Sequence, residues 1–277
     1  MDAFAPCTLD DALEIRAAHP EAIPVAGGTD LWVEVNARRL RPKALLDLSR
    51  VEELATWDLR NGTVFVGAGV TFSRIVRELD AFGPLVQAAR SVASLQIRNR
   101  ATIGGNLATA SPAGDSIPVL AAYGAHVVAA SARAGRRRLP LDGFLVGPKQ
   151  TSLAPDELIV GVEWRTVAGP GSFAKVGRRN AMVIAVASVC LQVDEEEHGA
   201  VRLALGSVGP TVLRARRAED FAEGLDWNDP AVLAEFGRLA AAEARPIDDL
   251  RGTAAYRRHV VDVLARRALS WAEEERC

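Results

Sequence analysis

Residues 101–122 read ATIGGNLATASPAGDSIPVLAA, and the fold turns on how they are interpreted. Gly104 and Gly105 are followed by Asn106, by hydroxyls at Thr109 and Ser111, and by Asp115 just before an apolar helical run. The first half of the stretch has little apolar bulk with which to build a core. Glycine allows a backbone to approach a ligand closely and to reach left-handed angles. The pattern therefore predicts a strand, then paired glycines, then a hydroxyl-rich loop closed by Asp115. That aspartate can cap the helix that starts at Ser116. It can equally accept hydrogen bonds from a ribose diol, and the two roles are compatible because both act at a helix start.

A second stretch, AIPVAGGTDLWVEVN (residues 22–36), repeats the arrangement. A short buried strand runs into Gly27-Gly28, and Thr29 or Asp30 opens a helix. Backbone amides of such a turn carry partial positive charge and suit a phosphate. One loop of this kind is a weak signal, but two could clamp a diphosphate from both sides. A third cluster, VFVGAGVTFSRI (64–75), resembles a dinucleotide fingerprint but has Phe72 where the third glycine belongs, so it reads as a tight strand-to-helix turn. Spacing alone leads to an anionic nucleotide site of unassigned class.

The remaining sequence bounds the setting. The 277 residues suffice for one large domain or two ordinary ones. A net charge of −2 supplies no field for nucleic acid, and only three of the 33 basic residues are lysines. The one basic run, Arg136 to Arg138, reads as a solvated loop. Cys7, Cys190 and Cys277 are too scattered for a disulfide framework or a metal cluster, as are the four histidines. No stretch has the length and apolarity of a membrane span, and the N-terminus lacks a secretory pattern, so a cytoplasmic protein is expected.

Thr8 caps a helix running to about Ala18, and strands are expected at 44–49, 63–70, 126–132 and 157–164. Helices are expected at 72–79, 85–94 and 116–125. After a Gly/Pro-rich connection at 165–172 come strands at 173–178 and 200–208. Between them VIAVASVCLQVD (183–194) reads as helix or strand by pattern alone. Helical periodicity dominates from Ala231 onward. The irregular mixture predicts an α+β class. A domain boundary is expected near Gly169, giving units 1–168 and 169–277, with the first split near residue 53.

Together, VAGGTDLWV (25–33) and QIRNRATIGGNLATASPAGDSIPVL (96–120) resemble the FAD-binding medium subunit of the molybdenum hydroxylases, the family of xanthine dehydrogenase and aerobic carbon monoxide dehydrogenase. GFLVGPKQTSLAPDELIVGVEW (143–164) and FAKVGRRNAMVIAVASVCLQV (173–193) extend the similarity over essentially the whole chain. The resemblance implies an FAD-binding domain of the vanillyl-alcohol oxidase type followed by a carbon monoxide dehydrogenase flavoprotein C-terminal domain. It implies a first pyrophosphate loop of Val25, Ala26, Gly27, Gly28, Thr29, Asp30, Leu31 and Trp32. It implies a second of Thr102, Ile103, Gly104, Gly105 and Asn106, with Asp115 on the FAD. Ile159 matches an apolar residue beside the isoalloxazine, and Lys175 a lysine near the flavin. Val92 stands where some relatives have an aromatic, and Val183 where many have an acidic residue.

The implied role is electron output from a heteromeric hydroxylase, with xanthine dehydrogenase favoured mildly over carbon monoxide dehydrogenase. Molybdopterin and [2Fe-2S] clusters would sit on partner subunits, and NAD or another acceptor would take the electrons. No residue of this chain is assigned a catalytic acid or base. A stand-alone flavin reductase and a non-catalytic nucleotide-binding module remain open from the residues alone. On this reading, valine at Gly104 is expected to harm FAD binding more than folding.

Overall fold

A computed structural model describes residues 2–276; Cys277 lies outside the described residues. The chain begins with β1 (Asp2–Phe4), α1 (Leu9–Ala18), β2 (Ala22–Val25), α2 (Leu31–Asn36) and β3 (Ala44–Asp47). Then come β4 (Trp57–Arg60), β5 (Thr63–Gly67), α3 (Phe72–Glu78), α4 (Gly83–Ser91), α5 (Leu95–Arg98), α6 (Ile103–Thr109) and α7 (Ser116–Ala122). They lead to β6 (His126–Ser131), β7 (Gly135–Pro140), α8 (Leu141–Phe144), β8 (Leu145–Gly147), β9 (Gln150–Thr151) and β10 (Leu158–Arg165). The last stretch holds β11 (Gly171–Val176), β12 (Ala187–Asp194), β13 (Ala200–Gly206), β14 (Leu213–Arg214), α9 (Arg216–Ala222), α10 (Pro230–Glu243) and α11 (Ala254–Arg276).

Three main sheets organise these elements, which makes the class α+β. A parallel sheet β1-β3-β2 comes first, then an antiparallel sheet β4-β5-β10-β6-β7, then an antiparallel sheet β11-β12-β13-β14. The first two share one hydrophobic core, which includes Leu46, Val66, Phe72, Leu120 and Val162. β12 and β13 form a second core with α9, α10 and α11.

β12 resolves the ambiguity of residues 183–194. Every one of its residues is buried. Ala187, Val189, Leu191 and Val193 face the second core, whereas Cys190 belongs to the first. A strand covered on both faces reads as a continuous apolar run, which periodicity cannot separate from a buried helix. The opposite face of the sheet is covered by α4 and α7.

Two local expectations are corrected. Thr102 makes only an isolated bridge with Thr71 and then caps α6, its Oγ1 accepting the Gly105 N–H at 3.0 Å. The paired glycines therefore occupy a helix's first turn rather than a loop. The second correction concerns the basic run Arg136–Arg138, which lies in strand β7 and not in a loop. There Arg137 holds Glu157 with bonds of 2.5 and 2.7 Å, and Arg138 pairs with Glu163. Gly67 and Gly69 form a tight turn against Leu54, whose carbonyl accepts the Gly69 N–H at 2.7 Å.

Gly104 is fully buried against this turn. A Cβ there would stand 2.7 Å from both the Cα and the carbonyl oxygen of Ala68. The constraint on this glycine is helix-to-turn packing, so a side chain at Gly104 acts on folding as well as on any FAD binding. Gly104→Ala should cost about 1–3 kcal/mol, the usual range for overpacking a tight core. Urea unfolding monitored by circular dichroism checks it, and an unchanged midpoint would contradict this packing account.

Candidate functional site

The two glycine stretches meet. Gly27 lies so close to the segment before α6 that an added Cβ would overlap the Arg100 carbonyl, 2.6 Å from its carbon. Asp30 stands at the α2 N-cap position, but its side chain makes no cap bond. Its Oδ2 instead accepts a 3.0 Å hydrogen bond from Thr109 Oγ1 at the end of α6. Gly28 has φ +72°, the left-handed region that glycine occupies without strain, and the Trp32 indole lies over it.

The stretches differ in what they offer. Among the described residues, none of the backbone N–H groups from Ala26 through Leu31 donates to a protein acceptor. Those of Ile103 through Asn106 in the second stretch are all occupied. Ile103 donates to Val70 O, Gly104 to Ala68 O and Asn106 to Thr102 O, each at 3.0 Å, and Gly105 donates to Thr102 Oγ1. The Asn106 side chain accepts from Ser116 Oγ at 2.7 Å. Free amides with outward dipoles, the requirement for holding a phosphate, therefore lie on the first stretch. On the second, Gly105 is the exposed position at the junction.

Asp115 precedes α7 and makes no cap hydrogen bond, which overturns the capping expectation. Its Oδ2 forms a 2.6 Å ion pair with Lys175 Nζ from β11 and lies 3.4 Å from Ser91 Oγ. Both side chains are about nine-tenths buried, exposed by 10% for Lys175 and 9% for Asp115. Burial pushes the Asp115 carboxyl above its ordinary range, and the lysine opposes that shift. Lys175 also donates to Ser91 O at 2.9 Å and Val183 O at 3.1 Å. The carbonyl of Val183 thus makes a polar contact at a position where its side chain cannot. The valine side chain packs against Gly177.

Above this pair a cleft of about 970 Å³ opens between α4–α5 and the β11–β12 connection. Arg90, Arg98, Lys175 and Arg179 line it, and among the described residues no aspartate or glutamate does. Sequence reasoning missed Ser91 and Arg98. Arg98 Nη1 donates to the carbonyls of Val92 and Ala93 at 2.9 and 3.0 Å, holding Ala93 at φ +36°. No sequence motif marks such a side chain-to-carbonyl clamp. Ser91 and Ala93 line the cleft, whereas Val92 between them packs against the first core. Ile159 is only 7% exposed, sits in β10 and belongs to that core, and it is not among the residues that line the cleft.

Comparison with known proteins places this geometry. Residues 1–164 match the model of the FAD binding domain in molybdopterin dehydrogenase, and residues 172–272 match the CO dehydrogenase flavoprotein C-terminal domain. The chain belongs to the FAD-binding subunits of the molybdenum hydroxylases. It is 30% identical to the xanthine dehydrogenase FAD-binding subunit of Escherichia coli O157:H7, over 96% of this chain and 93% of that one. It is 32% identical to the glyceraldehyde dehydrogenase medium chain of Sulfolobus acidocaldarius, over 94% of each. The structure superposes on a chain of carbon monoxide dehydrogenase from Hydrogenophaga pseudoflava with a TM-score of 0.91 and 29% identity, covering 100% of this chain and 98% of that one.

The approach of Gly27 to Arg100 is backbone against backbone, so neither side can yield by a rotamer change. Gly27→Ala should therefore destabilise by about 1–3 kcal/mol, as overpacking does. A thermal melt checks it, and a variant as stable as the parent chain would contradict the contact.

Proposed function

We propose that this chain is the electron-output subunit of a heteromeric molybdenum hydroxylase, the complex being a xanthine dehydrogenase. The observation that carries the reading is the unused row of N–H groups from Ala26 to Leu31, fastened to the second glycine stretch, in a chain whose family binds FAD. FAD, when bound, supplies the exchange between one-electron and two-electron transfer. The residues fit such a group. The amides of Ala26 through Leu31 would hold its pyrophosphate, and the open surface at Gly105 would let it lie across the junction. Asp115 would accept from one of its donors. The cation-lined cleft would admit an anionic acceptor such as NAD and favour it electrostatically.

On this reading molybdopterin is held by a large partner subunit and [2Fe-2S] clusters by a small one. The relatives' names support a subunit role. The xanthine assignment rests on the similarity of residues 106–122 to the xanthine dehydrogenase form and on the Escherichia coli relative. The glyceraldehyde dehydrogenase relative is just as similar to this chain. We also take 1–168, split near 53, and 169–277 as the domains. Among the described residues no helix is long and apolar enough to cross a membrane, which accords with the proposed cytoplasmic location.

No cysteine or histidine falls within residues 25–32 or 102–106, so the flavin is held non-covalently. Acid precipitation should release all flavin into the supernatant; colour left in the pellet would contradict this. The isolated chain loaded with FAD should reduce an artificial dye with NADH but not with xanthine, and the partner subunits should restore the xanthine reaction. Xanthine-dependent turnover by the chain alone would overturn the subunit reading. Absence of the NADH reaction would overturn only NAD as acceptor.

A further inference from the structure

The ammonium of Lys175 has three N–H donors, and the protein uses all of them. They go to Asp115 Oδ2, Ser91 O and Val183 O, at 2.6, 2.9 and 3.1 Å. The lysine therefore has no donor left for a ligand. Asp115 is the opposite case. Its Oδ2 is held, whereas its Oδ1 is buried and has no hydrogen-bond partner. A buried carboxylate oxygen without a donor is costly, and native folds retain one where something else supplies the donor.

We propose that Lys175 is a positioning residue for the flavin site, gripping Asp115 by Oδ2 so that Oδ1 is presented to a hydrogen-bond donor of bound FAD. This deepens the FAD reading above and rests on it. It also explains why the pair joins distant parts of the chain. Lys175 is on β11, in the sheet next to the second core, and Asp115 is at the start of α7. The grip reaches Ser91 at the end of α4 and Val183 across the cleft, so three cleft segments are aligned on one ammonium.

The same grip opposes the protonation of Asp115. Burial favours its protonated form, and Lys175 is the one charge that opposes this among the described residues. Other charged groups on the elements packed around α7 are directed elsewhere. Arg202 on β13 pairs with Asp194 and Glu197. Arg214 on β14 pairs with Glu219 and donates to Ala121 O. Arg90 on α4 is exposed on the cleft, and Asp142 on α8 accepts from Gly143 N. Cys190 on β12 is a buried thiol whose pKa burial raises, as burial also does for the Tyr123 phenol. Without Lys175, Asp115 would keep its proton to higher pH and Oδ1 would lose its strength as an acceptor.

The test measures FAD affinity against pH for the full chain stripped of flavin, by quenching of flavin fluorescence. Between about pH 5.5 and about pH 8.5 the affinity of the parent chain and of Lys175→Arg should change less with pH than that of Lys175→Gln. Lys175→Gln should bind more weakly at low pH and regain up to about tenfold in affinity as pH rises and Asp115 ionises. Asp115→Asn should weaken binding about tenfold, the loss of one hydrogen bond to a charged group, with a flat profile. A Lys175→Gln variant that binds FAD like the parent chain, or is weaker by the same factor at every pH, overturns the proposal. Should that variant fail to fold, Asp115→Asn decides, and unchanged affinity there overturns it too. A parent chain that takes up no FAD at any pH overturns the FAD reading itself, and the proposal with it.

Discussion

Strand β12 is buried on both faces, and the rest of the molecule is arranged around that constraint. Alternate side chains of a strand point to opposite faces. Ala187, Val189, Leu191 and Val193 are committed to the second core, where α11 packs on the strand, and Cys190 to the core of the larger FAD-binding part. One of the polar side chains on the Cys190 face of this strand, Gln192, is satisfied internally. Gln192 Nε2 donates to the carbonyls of Gly169, Pro170 and Val193. The sheet is thus fastened to α4 and α7 along its length, and β11 is carried with it at the edge. Lys175 falls beside Asp115 for that reason.

The buried pair contrasts with the surface charge. Arg137 and Arg138 are themselves more exposed than Lys175, although Glu157, the partner of Arg137, is buried. Lys175 and Asp115 are desolvated together, so each is tolerable only while the other is present. A chain with thirty-three basic residues near charge balance shows no long-range field, yet among the described residues the charged groups lining its cleft are all cations. Local geometry, rather than net charge, decides what the cleft attracts.

The glycines of the two stretches perform different tasks despite their identical spelling. Gly28 supplies a left-handed angle, Gly27 permits a backbone contact, Gly104 packs α6 on Ala68, and Gly105 stays open at the junction. Residue type announced that the backbone does something special at all four positions. It could not say which task falls to which glycine, because the atoms that limit three of them belong to Arg100, Ala68 and Trp32.

The sequence by itself determined the α+β class, the strand at 157–164, the helix capped by Thr8, and the family through its paired glycine stretches. These signals are local: periodicity, capping hydroxyls and motif spacing lie within short windows of chain. Tertiary structure alone decided that Thr102 starts a helix, that 187–194 is a strand, and that Arg136–Arg138 lies in a sheet. It also decided that Asp115 faces Lys175 rather than its own helix, that Val92 and Ile159 join the core, and that the amides of Ala26 through Leu31 stay free while those of Ile103 through Asn106 are taken. Each depends on partners far along the chain, 60 residues away for the ion pair and 79 for Asp30 with Thr109. Side-chain direction and desolvation arise only when those segments pack, and no local pattern encodes them.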